Sequence, residues 1–427
     1  MEDGTFIKRV SSDPLCHYDG VKLRSLRSCL RLVCVDQSSG WKAGFSWTVF
    51  FLLAIAVPLA SHFLFSCNTC DEKHRRPYDA VVQLSLSLLC AVSFLNLSRW
   101  FRSLGIRRFL FLDKLENESL GIRHGYEKQI QTSMKLLCLF VLPCFVLECV
   151  YRIWWYSTGF MEIPYFLNIY ASDIIMCSLQ LCSWVYRISS FILVCIIYRL
   201  ICYLQIMKLD EFAQVFEKDY NVIQILKEHS TVRRNLRIIS HRFRTFILPT
   251  LIFVTVSQFV SLLLTIRSNA ENNIFELGEL ALCSINLVTG LFICLRSATK
   301  ITHKAQSIIS IAAKWHAWAT IGSREDTDGE AECQITSDNT FPGSNGWALY
   351  DDEDDEDGEE DLVSSRMMPI VSSTLSFQKR QALVTYLEHN RAGITAYVFM
   401  MDRSWLHAIF GVEMALLLWL LNKTIGV

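Results

Sequence analysis

The sequence predicts an all-α polytopic membrane protein with seven transmembrane helices, N-terminus inside and C-terminus outside. Three observations predict it. The 427 residues are 52% hydrophobic and 12% aromatic, with a mean hydropathy of +0.28, too apolar for a soluble protein whose helices each bury a single stripe. Apolar runs long enough to cross a ~30 Å hydrocarbon layer recur along the chain. Lys and Arg concentrate in alternate connecting segments, the signature of a cytoplasmic side.

Residues 1–42 are polar and basic, with Lys8, Arg9, Lys22, Arg24, Arg27, Arg31 and Lys42. Val21 to Val35 has the spacing of a short amphipathic helix, suited to a membrane face or to the protein's own cytoplasmic side. The start lacks the apolar core of a secretory signal, so the first span is expected to serve for targeting. Span one covers about Gly44 to Ser66 and carries Pro58, which a bundle tolerates as a kink. The loop Cys67 to Asp79 leads to span two, about Ala80 to Leu97. Arg99 to Thr132 is a basic connection with a surface helix. Span three, about Ser133 to Trp155, ends in the aromatic sequence IWWY at the level where headgroups begin.

Tyr165 to Ile206 is the longest apolar stretch and contains neither Gly nor Pro, so nothing in it breaks a helix. As one helix it is roughly twice as long as a bilayer core is thick. Met207 to Thr245 is rich in Lys, Arg and Glu, with Phe212, Val215, Phe216, Ile223 and Leu226 at helical spacing. Span five, about Phe246 to Ile266, has Pro249 near its start, and Arg267 to Glu276 connects it to span six, about Leu277 to Leu295. Helical spacing continues through Ala298 to Ile321. Gly322 to Ser372 holds 16 Asp or Glu against Arg324 and Arg366, a net of -14 in a chain of net -1. It reads as an acidic disordered loop. Phe377 to Asn390 is a polar helix, and Ile394 to Ile425 is the last apolar run. The organisation is therefore residues 1–42, a membrane body over 43–321, the acidic loop 322–372, and a final helix and span over 373–427.

Charge decides whether Tyr165 to Ile206 crosses once or twice. With one crossing, the segments on the N-terminal side hold 31 Lys or Arg and those on the other side 5. With two, the basic segment 207–245 falls outside, against the positive-inside rule. One crossing leaves Arg187 near the inner face, with Ile188 to Ile206 projecting into the cytoplasm. An apolar surface of that size must be covered. A cytoplasmic anchor layer is expected, built from extensions of helices four and six, the 207–245 helix and Phe377 to Asn390.

This arrangement resembles the insect odorant and gustatory receptors. More narrowly, the stretch from about Leu23 to Pro58, containing SLRSCLRLVCVDQSSGWKAGFSWTVFFLLAIAVP, and the chain after it resemble the plant gustatory-receptor-like family. The resemblance spans about residues 20–425 apart from the acidic insertion. It implies four subunits meeting through the cytoplasmic layer and a last span lining a cation pore. The Thr-Tyr and Gln-Phe signature of insect members is absent from the last span, LLLWLLNKTIGV from Leu416, and Thr385-Tyr386 lies outside it. G-protein-coupled receptors share the span count, but their N-terminus faces out, and their Asp-Arg-Tyr and Asn-Pro-x-x-Tyr motifs are missing here.

Ionisable residues within spans are costly and hence candidates for function. Asp402, Arg403, His407 and Glu413 in the last run are pore candidates. The structural alternative places Asp402 and Arg403 at the inner interface and hydrogen-bonds Glu413 within the bundle. Glu148 and Arg152, four apart, are expected to pair as a structural ion pair. Trp154, Trp155, Tyr156, Tyr165, Tyr170, Asp173 and Trp184 are pocket candidates at the outer leaflet, where the resembled family binds its ligands; the alternative is an aromatic belt with one interfacial acid. Of the sixteen cysteines most lie in apolar runs and act as small hydrophobes. Cys67 and Cys70, in CNTC with His74 nearby, are candidates for a loop disulfide ahead of a zinc site. The sequons at Asn96, Asn117 and Asn422 are expected to stay unmodified in this topology.

No nucleophile–base pair, phosphate loop or HExxH pattern supports an enzyme, and no cofactor, metal or nucleic acid is expected. A ligand-gated cation channel, a non-conducting signalling protein acting through cytoplasmic partners of its acidic loop, and a transporter remain as classes. The expected partners are membrane lipid, copies of the same chain as a tetramer, and a small-molecule ligand, in the plasma membrane.

Overall fold

The structure is a computed structural model and describes residues 40–64, 78–109, 120–158, 169–214, 216, 222–267, 274–328, 377–396 and 399–425. The segment 21–35 with its expected amphipathic helix, Cys67, Cys70 and Tyr165 lie outside the described residues. The described chain is helical apart from one short two-stranded ribbon. Seven helical stretches are long and apolar enough to cross a membrane: Gly40–Phe63, Asp79–Ser103, His124–Ser157, Ser172–Gln214, Val222–Ile266, Gly278–Trp318 and Arg403–Asn422.

The first span is built in three pieces, α1 (Gly40–Phe51), a π-helical turn (Leu52–Ala56) and α2 (Val57–Leu64). Pro58 has no N–H for the carbonyl four residues back, and its ring crowds that carbonyl. The wider turn relieves this, with the Val57 N–H reaching Leu52 O in the manner of a π-bulge. The Ser183 hydroxyl donates to Leu53 O at 2.5 Å. The break in one helix thus becomes a polar contact with another.

The remaining helices are α3 (Asp79–Phe109), α4 (Leu120–Thr158), α5 (Ile169–Gln214), α6 (Val222–Arg267), α7 (Ile274–Asp328), α8 (Phe377–His389) and α9 (Arg403–Ile425). Several expected boundaries dissolve. The basic segment before span three belongs partly to α4 itself, and of the 207–245 segment the first residues, to Gln214, end α5 while those from Val222 join span five in the continuous α6. Polar residues do not interrupt these helices because their backbone hydrogen bonds stay internal whether lipid, protein or water surrounds them. α7 runs to Asp328 and so takes in the first residues of the acidic segment, whose residues 329–372 lie outside the described ones. The last helix starts at Arg403 rather than Ile394. Before it, β1 (Thr395–Ala396) and β2 (Phe399–Met400) pair antiparallel. The Asp402 carboxylate accepts from Arg403 N at 2.7 Å, and Asp402 O accepts from Leu406 N at 3.2 Å; Asp402 caps the helix.

The described chain forms two compact units. The first comprises residues 1–207, 236–303 and 394–427. Its core is α5, in which 78% of the most apolar stretch is buried, against 17% in the stretches of α4 and α9. Ile188 to Leu204 is apolar on nearly every side and almost fully enclosed, as a helix without a polar face must be. Tyr198 packs on Phe243, and Phe243 on Trp100. Gly290 of α7 lies flush against Phe191, so a Cβ there would stand 2.3 Å from the ring. α9 joins this unit through Phe410 on Phe292, with ring centroids 4.5 Å apart. The second unit comprises residues 208–235 and 304–393. Phe212 and Phe216 meet there, and Phe216 packs on Trp315. His229, 4% exposed, sits beside Phe212 and Tyr386. Lys304 pairs with Asp210 at 2.6 Å and Arg233 donates to Asn390 Oδ1 at 2.6 Å.

Candidate functional site

The first unit contains a buried polar layer centred on Arg152. Its Nε donates to Glu148 Oε1 at 2.8 Å one turn earlier on α4. Nη1 donates to Gln180 Oε1 on α5 at 3.1 Å, and Nη2 to Glu279 Oε1 on α7 at 2.7 Å. Gln180 in turn donates to Ser61 Oγ on α2 at 2.7 Å. One guanidinium therefore ties four helices together, with Glu148 and Arg152 1% and 2% exposed. Two carboxylates on a single cation in a dry setting form a strong, directional arrangement. The i, i+4 spacing identifies only its local half. Gln180 and Glu279 are separated from Arg152 by 28 and 127 residues, and an acid or amide isolated in an apolar run was the available signal for them.

Two further polar groups adjoin this layer in sequence. Asp79, 7% exposed, accepts from Gln83 Nε2 at 3.1 Å, and His62 Nδ1 lies 3.4 Å from its other oxygen. Arg187 is 3% exposed, enclosed among the helices. It lies against Gln83 and Ser87, the second and third turns of α3. The reason is geometric: the turn of α5 that carries it faces α3, and its side chain runs between helices rather than along one.

Among the pocket candidates, Trp155 and Trp184 are buried, 3% and 4% exposed. Trp155 stands edge-on to Tyr156 with centroids 5.0 Å apart, and Trp184 faces Phe145 at 6.5 Å. Trp154, Tyr156 and Asp173 are half-buried, and Tyr170 stands in the first turn of α5. Among the pore candidates, Asp402, Arg403 and His407 are exposed. Glu413 is 2% exposed and turned toward α6, where Thr255 Oγ1 donates to Oε1 at 2.5 Å. Its Oε2 is buried with no hydrogen-bond partner. Asn96, in one of the sequons, is half-buried and bonded to Thr245 on α6. Among the described residues no cluster of three His, Cys, Asp or Glu has metal-binding geometry.

These helices define a known class of membrane fold. The structure of the insect olfactory receptor OR5 from Machilis hrabei is similar over 96% of this chain and 100% of that chain, with a TM-score of 0.51 at 12% identity. At that identity the likeness establishes the fold alone, an all-helical bundle. The chain itself belongs to the family described as "Protein of unknown function (DUF3537)", whose model matches residues 21–412. No curated protein matches it.

Proposed function

We propose that the protein is a chemoreceptor-like, ligand-gated cation channel, a homotetramer in which α9 lines the pore, and that it belongs to the plant gustatory-receptor-like group. In this reading the N-terminus and the segment 322–372 are cytoplasmic, the C-terminus is outside, and the second unit assembles the subunits. The ligand enters among the helices near Trp154, Trp155, Tyr156, Tyr165, Tyr170, Asp173 and Trp184. The membrane is the plasma membrane.

The observation that carries the reading is a contrast between two equally exposed helices. The most apolar stretches of α4 and α9 are each only 17% buried. On α4 the outward residues are Leu139, Leu142, Val146, Leu147, Val150 and Ile153, a face made for lipid. On α9 they include Ser404, His407, Ala408, Gly411, Ala415 and Asn422, at spacings of three and four or multiples of them, together with Trp405, Val412, Leu418 and Trp419. Small and polar positions in a row broken by Leu418 make this face of α9 less apolar than that of α4, and such positions suit water or a neighbouring copy of the helix better than lipid. Glu413 lies off that row, so its pore role requires the carboxylate to turn away, breaking the contact of Oε1 with Thr255.

A non-conducting signalling protein is the second reading. It is favoured by the absence of the insect signature from α9 and by the -14 charge of the segment 322–372, suited to a basic cytoplasmic partner.

The test is current recorded from reconstituted protein with and without candidate ligands, comparing wild type with Gly411→Cys treated with a charged thiol reagent and with Glu413→Ala. Ligand-evoked cation current blocked by the reagent only in Gly411→Cys is expected. A silent protein that is monomeric in mild detergent at every concentration overturns the channel reading. A glycosylation tag at the C-terminus is expected to be modified, and one within Asp351–Asp361 is not.

A further inference from the structure

We propose that Arg187 binds the carboxylate of an amphiphilic organic monoanion inside the helical bundle. The proposal rests on the ligand-binding reading above and adds to it the charge of the ligand and the residue that recognises it.

A guanidinium carries five N–H donors and a charge that it keeps at any physiological pH. Arg187 has spent few of those donors, and on weak acceptors. Nε donates to Ser183 O at 3.3 Å, and Nη1 to Gln83 O at 3.3 Å and Ser87 Oγ at 3.4 Å. These lengths exceed the ~2.7–2.9 Å typical of charge-assisted bonds. Both carbonyls are helix carbonyls already committed to their own backbone partners. Nη2 has no acceptor among the described residues, and no described carboxylate lies within ion-pair distance of Arg187.

Three buried acids of the same unit are occupied. Glu148 and Glu279 hold Arg152, and Asp79 is engaged by Gln83 and His62. Ser190, one turn along α5 on the same face as Arg187, is 2% exposed, and its hydroxyl faces the thiol of Cys90, a weak hydrogen-bond partner. A cationic fork and a hydroxyl held only by a thiol, three residues apart on a helix, are neighbouring donors, suited to the two oxygens of a carboxylate.

A charge buried without a counter-ion is retained in a membrane bundle only where it serves a site. A single uncompensated positive charge calls for a monoanion, because the second charge of a phosphate monoester would itself be left unpaired. The residues of the same turns, among them Leu86, Cys90, Ile188 and Phe191, are apolar and buried, so the body of the ligand is apolar.

The test is direct binding to the purified full chain in lipid nanodiscs, using octanoate and benzoate against octanamide and benzamide, for wild type, Arg187→Met and Arg187→Lys. Wild type is expected to prefer the carboxylates by about tenfold or more, the size of one charge-assisted hydrogen bond. Arg187→Met is expected to lose that preference while keeping its affinity for the amides. Arg187→Lys keeps the charge without the planar fork and is expected to fall between them; it decides the matter if the Met variant does not fold.

Amide binding without a carboxylate preference in wild type, or a preference unchanged in Arg187→Met, overturns the proposal and leaves the ligand-binding reading standing. Failure of wild type to bind any of the four probes overturns the proposal, while the ligand-binding reading falls only with the absence of ligand-evoked current.

Discussion

Arg152 and Arg187 are buried to the same degree in the same unit, 2% and 3% exposed, yet their surroundings differ in kind. Arg152 meets two carboxylates and a carboxamide at 2.7–3.1 Å. Arg187 meets two backbone carbonyls and a hydroxyl at 3.3–3.4 Å. Burial alone therefore says little about what a charged residue in a membrane bundle is for. The charge and geometry of its partners separate a cross-brace from a binding group.

The contrast predicts opposite responses to substitution, and the largest falls on Arg152. Arg152→Ala leaves Glu148 and Glu279 buried without their cation and is expected to cost about 3–5 kcal/mol, as breaking a buried pair does. Its unfolding in mild detergent should shift accordingly, and adding Glu148→Gln with Glu279→Gln should recover part of the loss. Gly290→Ala tests the seam that holds the helix of Arg187, since the new methyl would meet the Phe191 ring. A loss of about 1–3 kcal/mol is expected from overpacking, measured as a lower thermal midpoint.

Third in size is Arg187→Met. Removing an uncompensated buried charge is expected to leave the unliganded protein unchanged or more stable by about 1 kcal/mol. A loss comparable to that of Arg152→Ala would erase the distinction between the two arginines. The smallest effect is expected from Ser87→Ala, which removes a 3.4 Å contact and should cost a few tenths of a kcal/mol, well below a typical buried hydrogen bond of about 1 kcal/mol. Parallel melts of Ser87→Ala and Gln180→Ala provide the control, because Gln180 bridges Arg152 and Ser61 and its removal should cost about 1–2 kcal/mol.

Much of the fold was legible beforehand, for reasons that lie in local sequence. Tyr165 to Ile206 contains no Gly or Pro, and α5 passes through it unbroken from Ile169 to Gln214. Glu148 and Arg152 are one turn apart, so their pairing follows from helix geometry. The onset of the last helix was misplaced because Ile394 to Met401 is as apolar as the helix that follows. Its extended form depends on tertiary contacts: Ile394 N donates to Thr302 Oγ1 and Thr395 N to Ser240 Oγ, each at 3.1 Å. Periodicity does not record where a backbone N–H finds its acceptor.

The candidate sites divide along the same line. Glu413 stood out as a charge within an apolar run, but its sequence neighbours do not say that it faces Thr255 rather than the outward stripe of α9. Arg187 was expected only to lie near the inner face, and the packing of α5 against α3 revealed that its guanidinium meets carbonyls and a hydroxyl rather than an acid.

By itself, the sequence determined that this is a membrane-spanning helical protein and where most spans lie. Apolar length and the backbone's need for internal hydrogen bonds in lipid are properties of each segment alone. The tertiary structure decided which buried charges are neutralised and which helix faces remain uncovered. Those outcomes depend on residues brought together from different helices, and a pair separated by 127 positions leaves no periodic trace in the chain.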